Sequence, residues 1–557
     1  MLHDGPIAGL AARGDYVASA GYDNKVILWD SRQRVALARS SHDHLVNNCA
    51  FSHDGHLLAT ASSDYTARIW SVPGLTLVTV LAGHEDDVDM AVFSPDDRLI
   101  ATCALDRCVR VFDLDGRLLA QMAGHTGNVL SLAWVDAARL VSSSVDGTVR
   151  IWDAVQGIEL SRIDLAMRSD SVAVAPDGTI FAAQDGGKII TIRDGRADVT
   201  NAHAAGIKKL VLDARRRRLI SLSYDRTAAI WSITDAGLVE IGRTTLPDIV
   251  WARATALLDD GRLAVGTFGT RYALFDPAHE AWDLEGVGAG PALNAVIATR
   301  SGALAAVGDA GEVTLAGEAV ATVGSLCNFL VDAGHRLLTG GQAGRLFDAR
   351  SGDVLYNHHS PLNCGVAFER VGLQHVAIGT YTGEVLLFAV DDAGKCALLT
   401  ELPVFASAVK SLSVGENSLF AVFASGAVCW LDIADLRIVA RLERAHDKIA
   451  NSCCALDGDR FASVSRDRKL RIWEGERARV FATPHMNSIK CIAADGTGTK
   501  LISGSYRGMV AVFDVATEQW TRIERPTAAG IAAVTWDERR SCFVAAAYDG
   551  KLYAVAA

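Results

Sequence analysis

Asp23, Asp64, Asp106, Asp146, Asp225 and Asp467 each stand six residues before an aromatic ring, namely Trp29, Trp70, Phe112, Trp152, Trp231 and Trp473. Serine or threonine and histidine recur upstream of them. Ser, His and Asp are the residue types of nucleophilic hydrolysis, in which a base takes the hydroxyl proton and a carboxylate orients the base. That chemistry needs one solvent-reachable serine and an oxyanion site. A set repeated along the chain, each copy tied to a ring, instead predicts a structural network. No phosphate-binding glycine loop, HExxH or GxSxG motif is present. No catalytic residue, metal-ligand set or cofactor is assigned, and a non-enzymatic role is expected.

The spacing belongs to a longer internal repeat, visible in SSDYTARIWS, SVDGTVRIWD and SRDRKLRIWE. Aligned on the ring position, 14 units of about 40 residues fill nearly the whole chain. Arg193, Phe347 and Ala554 are taken as the ring equivalents of the fifth, ninth and fourteenth units. The unit HLVNNCAFSHDGHLLATASSDYTARIWS predicts strands over 46–52, 57–62 and 67–70, and the connector 75–81 supplies a fourth. Gly, Asp and Pro mark the turns, and no helical period is sustained. Four-stranded units at this period make propeller blades, and propellers close with four to eight of them. The expected fold is therefore all-β, with two tandem seven-bladed propellers over 1–285 and 286–557. The cut falls in the Gly-rich connector Glu280–Pro291. Fourteen blades need one more outer strand than the connectors supply. One blade is expected to lack its outer strand and to present an edge that can pair with another chain.

The pattern resembles the WD-repeat propeller family, whose hallmark is a His before the first strand, a Ser or Thr on the second, the Asp in the tight turn and the Trp on the third. Five units have all four residues: His3/Ser19/Asp23/Trp29, His42/Thr60/Asp64/Trp70, His125/Ser142/Asp146/Trp152, His203/Ser221/Asp225/Trp231 and His446/Ser463/Asp467/Trp473. The set at His84/Thr102/Asp106 has Phe112, and the one at His485/Ser503 has Arg507 in place of Asp. Units 7–11 match only in length and strand pattern. The resemblance implies a tetrad in which the indole N–H finds a hydroxyl acceptor inside the blade.

The resemblance also implies that the tight turn and the loop entering the first strand share one face. The residue before the turn Asp is then expected to be exposed near the central channel. Tyr22, Tyr224, Tyr381, Tyr506, Tyr548 and Arg466 hold that position and are candidate partner-binding residues. Glu85, Asp86, Asp87 and Asp89 are expected to form an acidic patch on the same face of the third blade. They lack the spacing of a calcium loop. Arg215, Arg216, Arg217 and Arg218 form a hairpin on the opposite face, echoed by Arg539 and Arg540, that could meet phosphate or an acidic partner.

Bulk properties narrow the function. The net charge is −11, and 28 basic against 34 acidic residues run through Asp276, with 26 against 31 beyond it. Neither part is basic, which disfavours general nucleic-acid binding. Eleven cysteines without a CxxC pair read as buried small hydrophobes in a reducing cytoplasm. No signal peptide and no membrane-spanning apolar run is visible. The leading expectation is a scaffold that binds one or more proteins through propeller loops and assembles a signalling or regulatory complex. The alternatives are an enzyme or small-molecule or metal binder using a propeller channel, and phosphate or nucleic-acid recognition by the Arg hairpins. Oligomeric state is not legible.

Overall fold

The structure, a computed structural model, describes residues 1–193, 195–391 and 394–557. Among these it contains 14 antiparallel sheets and no helix, so no helix is long and apolar enough to cross a membrane. Thirteen sheets have four strands taken in chain order, and the fourteenth has three. Two compact units divide the chain, Met1–Gly290 with seven sheets and Pro291–Ala557 with seven. Residues 286–290 stay with the first unit because the Thr270 N–H donates to the Gly288 carbonyl at 2.8 Å.

Each unit is a propeller. The first strand of sheet 1, Ile7–Arg13, lies against both Val46–Phe51 of sheet 2 and Val250–Leu257 of sheet 7. In the second unit Leu293–Ala298 lies likewise against Cys327–Asp332 and Ile531–Asp537. Among the described residues no sheet mixes strands from the two ends of a unit. Strand Ala281–Asp283 pairs with its own neighbour Ala273–Asp276, so the short sheet is the last one. Its third strand, Leu552–Ala556, is largely exposed, whereas the equivalent Val510–Asp514 is buried beneath a fourth strand.

Second and third strands are buried on both faces and read as continuous apolar runs, such as Leu57–Ser62 and Lys25–Asp30. Fourth strands alternate, as in Ala36–Ser41, because one face meets solvent. The core lies between sheets. Val26, Leu28 and Ala18 of sheet 1 pack on Val46, Leu58 and Trp70 of sheet 2, while Ile27 and Trp29 pack on Tyr272 and Leu274 of sheet 7.

Ring equivalence follows strand register. Ile192, Ala349 and Val555 hold the tryptophan position, displacing the expected Arg193, Phe347 and Ala554. None of these units has the tryptophan whose indole would anchor the alignment.

A register shift follows the first residue of the inner strand in the sheets, as between Val46 and Asn48 and between Val409 and Ser411. Such a bulge re-aims one residue. Here it turns Asn47, Asp89, Asp170 and Lys208 of the first unit toward the axis. In the second it turns Asn294, Asn328, Asn363, Lys410, Asn451 and Lys490 the same way. The asparagines strap neighbouring sheets. Asn294, Asn328, Asn363 and Asn451 donate to the carbonyls of Cys327, Leu362, Val409 and Ile489 at 3.1, 3.0, 3.1 and 2.7 Å.

Inner strands approach closely. A Cβ on Gly9 would meet the Asn48 Cα at 2.6 Å. Backbone opposes backbone there, so Gly9→Ala is expected to cost about 1–3 kcal/mol, read as a lower denaturant midpoint. A midpoint equal to that of the unaltered chain would mean that the inner strands are not packed this tightly.

Candidate partner-binding site

The five tetrads are interior hydrogen-bond chains. Trp29 Nε1 donates to Ser19 Oγ at 2.7 Å, Ser19 Oγ is 2.7 Å from His3 Nε2, and His3 Nδ1 is 3.0 Å from Asp23 Oδ1. Trp152, Ser142, His125 and Asp146 repeat this at 2.7, 2.8 and 2.8 Å. Trp70, Thr60, His42 and Asp64 do so at 2.8, 2.7 and 2.9 Å. Ser221 Oγ accepts from Trp231 at 2.9 Å and lies 2.8 Å from His203, whose Nδ1 is 3.0 Å from Asp225. Ser463 Oγ accepts from Trp473 at 2.8 Å and lies 2.8 Å from His446. The last link of that set is longer, with His446 Nδ1 3.5 Å from Asp467, and Arg471 Nη1 reaches the same carboxylate at 2.7 Å. Each Asp also accepts the N–H of the residue after the His, such as Thr126 N at 3.0 Å. The chain thus ties the loop entering a sheet to its tight turn.

Ser19, Thr60, Ser142, Ser221 and Ser463 are all 0% exposed, so neither a substrate nor a partner reaches them. These five hydroxyl residues belong to the blade interior and contribute nothing to a binding surface. Burial raises the Asp146 carboxyl, but Thr148 and His125 more than offset it and hold the carboxyl down at about 2.

His485 shows what one missing member does. Its Nε2 is 2.8 Å from Ser503 Oγ, but with Arg507 in the turn its Nδ1 has no hydrogen-bond partner. Burial pushes its pKa down to about 4.

The pre-turn residues adjoin the loop that enters the inner strand and are not freely exposed. The N–H of each donates to the loop residue just before the inner strand, as Tyr22 to Pro6, Tyr224 to Gly206 and Tyr381 to Pro361. Tyr224 and Tyr506 are buried, and Tyr22, Tyr381, Tyr548 and Arg466 are half-buried. Neighbouring side chains cover them. Tyr22 packs edge-on to Trp251 at 5.3 Å, and Lys208 sits 4.8 Å over Tyr224. The expected acidic patch is also corrected. Only Glu85 is exposed; Asp86 is half-buried and Asp87 is buried. The bulge turns Asp89 inward to Arg253, 3.7 Å away. In the Arg hairpin Arg215, Arg216 and Arg217 are exposed and Arg218 is half-buried. Asp213 and Asp235 partly neutralise it, pairing with Arg216 at 3.1 Å and Arg217 at 3.4 Å.

Sequence alignment did not show the charged residues that converge at the axes. In the first unit Lys208 meets Asp170 at 2.5 Å and Asp185, and Arg168 meets the same two at 2.8 and 3.1 Å, so charge is balanced. The second unit differs. Arg466, Tyr506, Tyr548 and Asp309 hold the pre-turn position in four successive sheets, twelve to fourteen and then eight. Arg466 lies 5.8 Å over the Tyr506 ring. Asp309 Oδ1 accepts from Asn294 at 2.8 Å, Oδ2 has no hydrogen-bond partner, and burial pushes the carboxyl up to about 7. Burial, then Lys490 and Arg466, bring Lys410 down to about 7. Burial, then Tyr506 and Asp309, raise Tyr548. The arrangement is a rim of the buried Tyr506 ring, the half-buried Tyr548 ring and the half-buried Arg466 guanidinium beside two lysines. It suits a ligand that brings both negative charge and apolar surface. The bulge that aims Lys410 and Lys490 leaves no mark in the sequence.

Comparison with known proteins agrees with the fold. Residues 2–30, 36–71, 75–113, 116–153 and 438–474 match the WD domain, G-beta repeat family. Telomerase protein component 1 of Rattus norvegicus is 31% identical over 204 residues, 34% of this chain and 8% of that protein. Ribosome biogenesis protein YTM1 of Candida glabrata is 23% identical over 270 residues, 47% of this chain and 52% of that protein. Autophagic-related protein 16.2 of Caenorhabditis elegans is 26% identical over 280 residues, again 47% and 52%. The matches thus span about half or less of these relatives.

Two outcomes are expected. Asp146→Ala leaves His125 and the turn unsatisfied and lowers stability by about 1–3 kcal/mol, measured by denaturant unfolding. The other concerns acid. His485 is lowered in the folded state, so the unfolded chain binds the proton first and stability falls as pH drops from about 6.5 to about 4. His42, His84, His125 and His446 are lowered too, with burial as the largest cause, and act in the same sense. Thermal melts of His485→Asn are expected to show a shallower loss over that window than the unaltered chain.

Proposed function

We propose that this chain, a WD-repeat β-propeller protein, is a non-enzymatic scaffold that holds protein partners on propeller loops and rims within a multiprotein complex. The observation that carries this reading is the rim of the second unit. Arg466, Tyr506 and Tyr548 supply the aromatic and guanidinium surface typical of binding hot spots. Lys410 and Lys490 supply positive charge at the axis beneath it. A protein segment presenting an acidic side chain beside an apolar one complements both. One relative is named as a component of telomerase and another for ribosome biogenesis, and membership of an assembly fits those names. Eleven free cysteines support a reducing compartment, which we read as the cytoplasm.

A second reading, a small anionic molecule in the same channel, is favoured by the burial of Asp309 and Lys410, which pushes the carboxyl up and the ammonium down. Native mass spectrometry of the purified chain separates the two: a bound small molecule at one equivalent supports the second.

The test of the scaffold reading is affinity purification from native cells with Lys410→Met/Lys490→Met. A stoichiometric partner of the unaltered chain is expected to fall at least tenfold in yield. The variant's melting temperature is expected to be unchanged or higher, because like-charge repulsion is relieved. Full recovery of the partner by that variant would exclude the rim of the second unit as the contact. Replacing Arg215–Arg218 with Ser is expected to leave recovery intact.

A further inference from the structure

His358 holds the place that histidine holds in the complete tetrads. Its N–H donates to the Gly344 carbonyl at 2.7 Å, as that of His42 does to Asn24 at 2.9 Å. The rest of the tetrad is absent from the tenth sheet. In strand register Ile378 stands where Thr60 stands in sheet 2, Thr382 where Asp64 stands and Phe388 where Trp70 stands. The imidazole is nonetheless buried, with 2% of its side chain exposed. It has been released from the role that fixes the other tetrad histidines, and it faces a different set of groups.

Those groups are of the types that ligate metal ions. His358 Nδ1 lies 3.1 Å from both the Ser360 carbonyl oxygen and the Ser360 backbone nitrogen, and Nε2 lies 3.5 Å from Glu401 Oε1. When Nδ1 accepts from the Ser360 N–H, Nε2 donates to Glu401; when the Nδ1 proton lies on the Ser360 carbonyl, the Nε2 lone pair faces a carboxylate oxygen, an arrangement that a cation between them would stabilise. A backbone carbonyl at the other ring nitrogen is the usual outer support of a metal-bound imidazole, so a bound ion would select the second of these tautomers. His359 follows at once, its ring centroid 4.1 Å from that of His358. One ligand atom from each of His358, His359 and Glu401 lies within 4.8 Å of the others. Around a tetrahedral zinc ion with bonds of about 2.0–2.1 Å, ligand atoms sit about 3.3 Å apart. His359 and Glu401 are exposed and can close that difference by side-chain rotation. Glu384 adds charge nearby. Its Oε2 accepts from Thr382 at 2.5 Å and from Thr380, and it interacts electrostatically with His358.

We propose that His358, His359 and Glu401 form a site for a divalent transition ion of the zinc class, bracing the junction of the ninth and tenth sheets where the tetrad is missing. Two imidazoles and one carboxylate select against calcium and magnesium, which take oxygen ligands. Three protein ligands leave the fourth position to water or Glu384.

The test uses the full chain, stripped with a chelator and titrated with Zn²⁺ by calorimetry, and with Co²⁺ by visible absorbance. One equivalent is expected to bind the unaltered chain, with the intense Co²⁺ bands of a four-coordinate site, and to raise its melting temperature. His359→Ala and Glu401→Gln change exposed side chains, so folding is retained. Each is expected to lose at least tenfold in affinity and the thermal shift. Equal binding by the unaltered chain and both variants, or no one-equivalent binding by the unaltered chain, overturns the site. A Mg²⁺ titration giving the same thermal shift also overturns it.

Discussion

A polar group buried between stacked sheets must find a partner inside the protein, and both propellers are organised by that constraint. The indole N–H of Trp29 or Trp152 is deep in the blade, so a hydroxyl, an imidazole and a carboxylate follow it in line out to the tight turn. The result fixes the loop that enters each sheet relative to the turn above it. A second device, an asparagine strap between inner strands, is added in several sheets. The first unit has four complete tetrads and the asparagine strap of Asn47, which donates to Val88 at 2.9 Å. The second has the tetrad of Trp473 and the straps of Asn294, Asn328, Asn363 and Asn451. Sheets eight to ten lack tetrads, and each carries a strap.

This division separates the residues that fix each blade from those that vary between blades. Tetrad residues are spent on the interior and cannot meet a ligand. What varies between blades is the residue that the inner-strand bulge turns to the axis and the residue just before the tight turn. In the first unit these choices cancel, with Asp170 and Asp185 against Lys208 and Arg168. In the second they leave Lys410 beside Lys490 and Arg466, with Tyr506 and Tyr548 alongside.

Much of the fold was legible in the sequence because a six-residue spacing from Asp to Trp marks a hairpin of fixed length. Two seven-bladed rings followed from counting. Register failed where the ring was absent: Phe347 is two residues, and Arg193 and Ala554 one residue, from the true equivalents. The site was less legible. Tyr506 and Arg466 were placed by family geometry, but their burial depends on side chains from the next sheet. Asp309 carries no motif, and its unsatisfied oxygen is a property of packing. The bulge has no sequence signature here, so Asp89 read as surface although it faces Arg253. His358 and His359 stand adjacent in the chain, but Glu401 comes from the far strand of the sheet, beyond any ligand-spacing rule.

The central claim is that partners engage the axial rim of the second unit and leave the tetrads untouched. Hydrogen–deuterium exchange on the stoichiometric complex from native cells, compared with the free chain, tests it most directly. We expect new protection at the pre-turn segments around Asp309, Arg466, Tyr506 and Tyr548, with the tight turns of the first unit unchanged. Protection confined to outer strands or to the Arg215–Arg218 hairpin would contradict it.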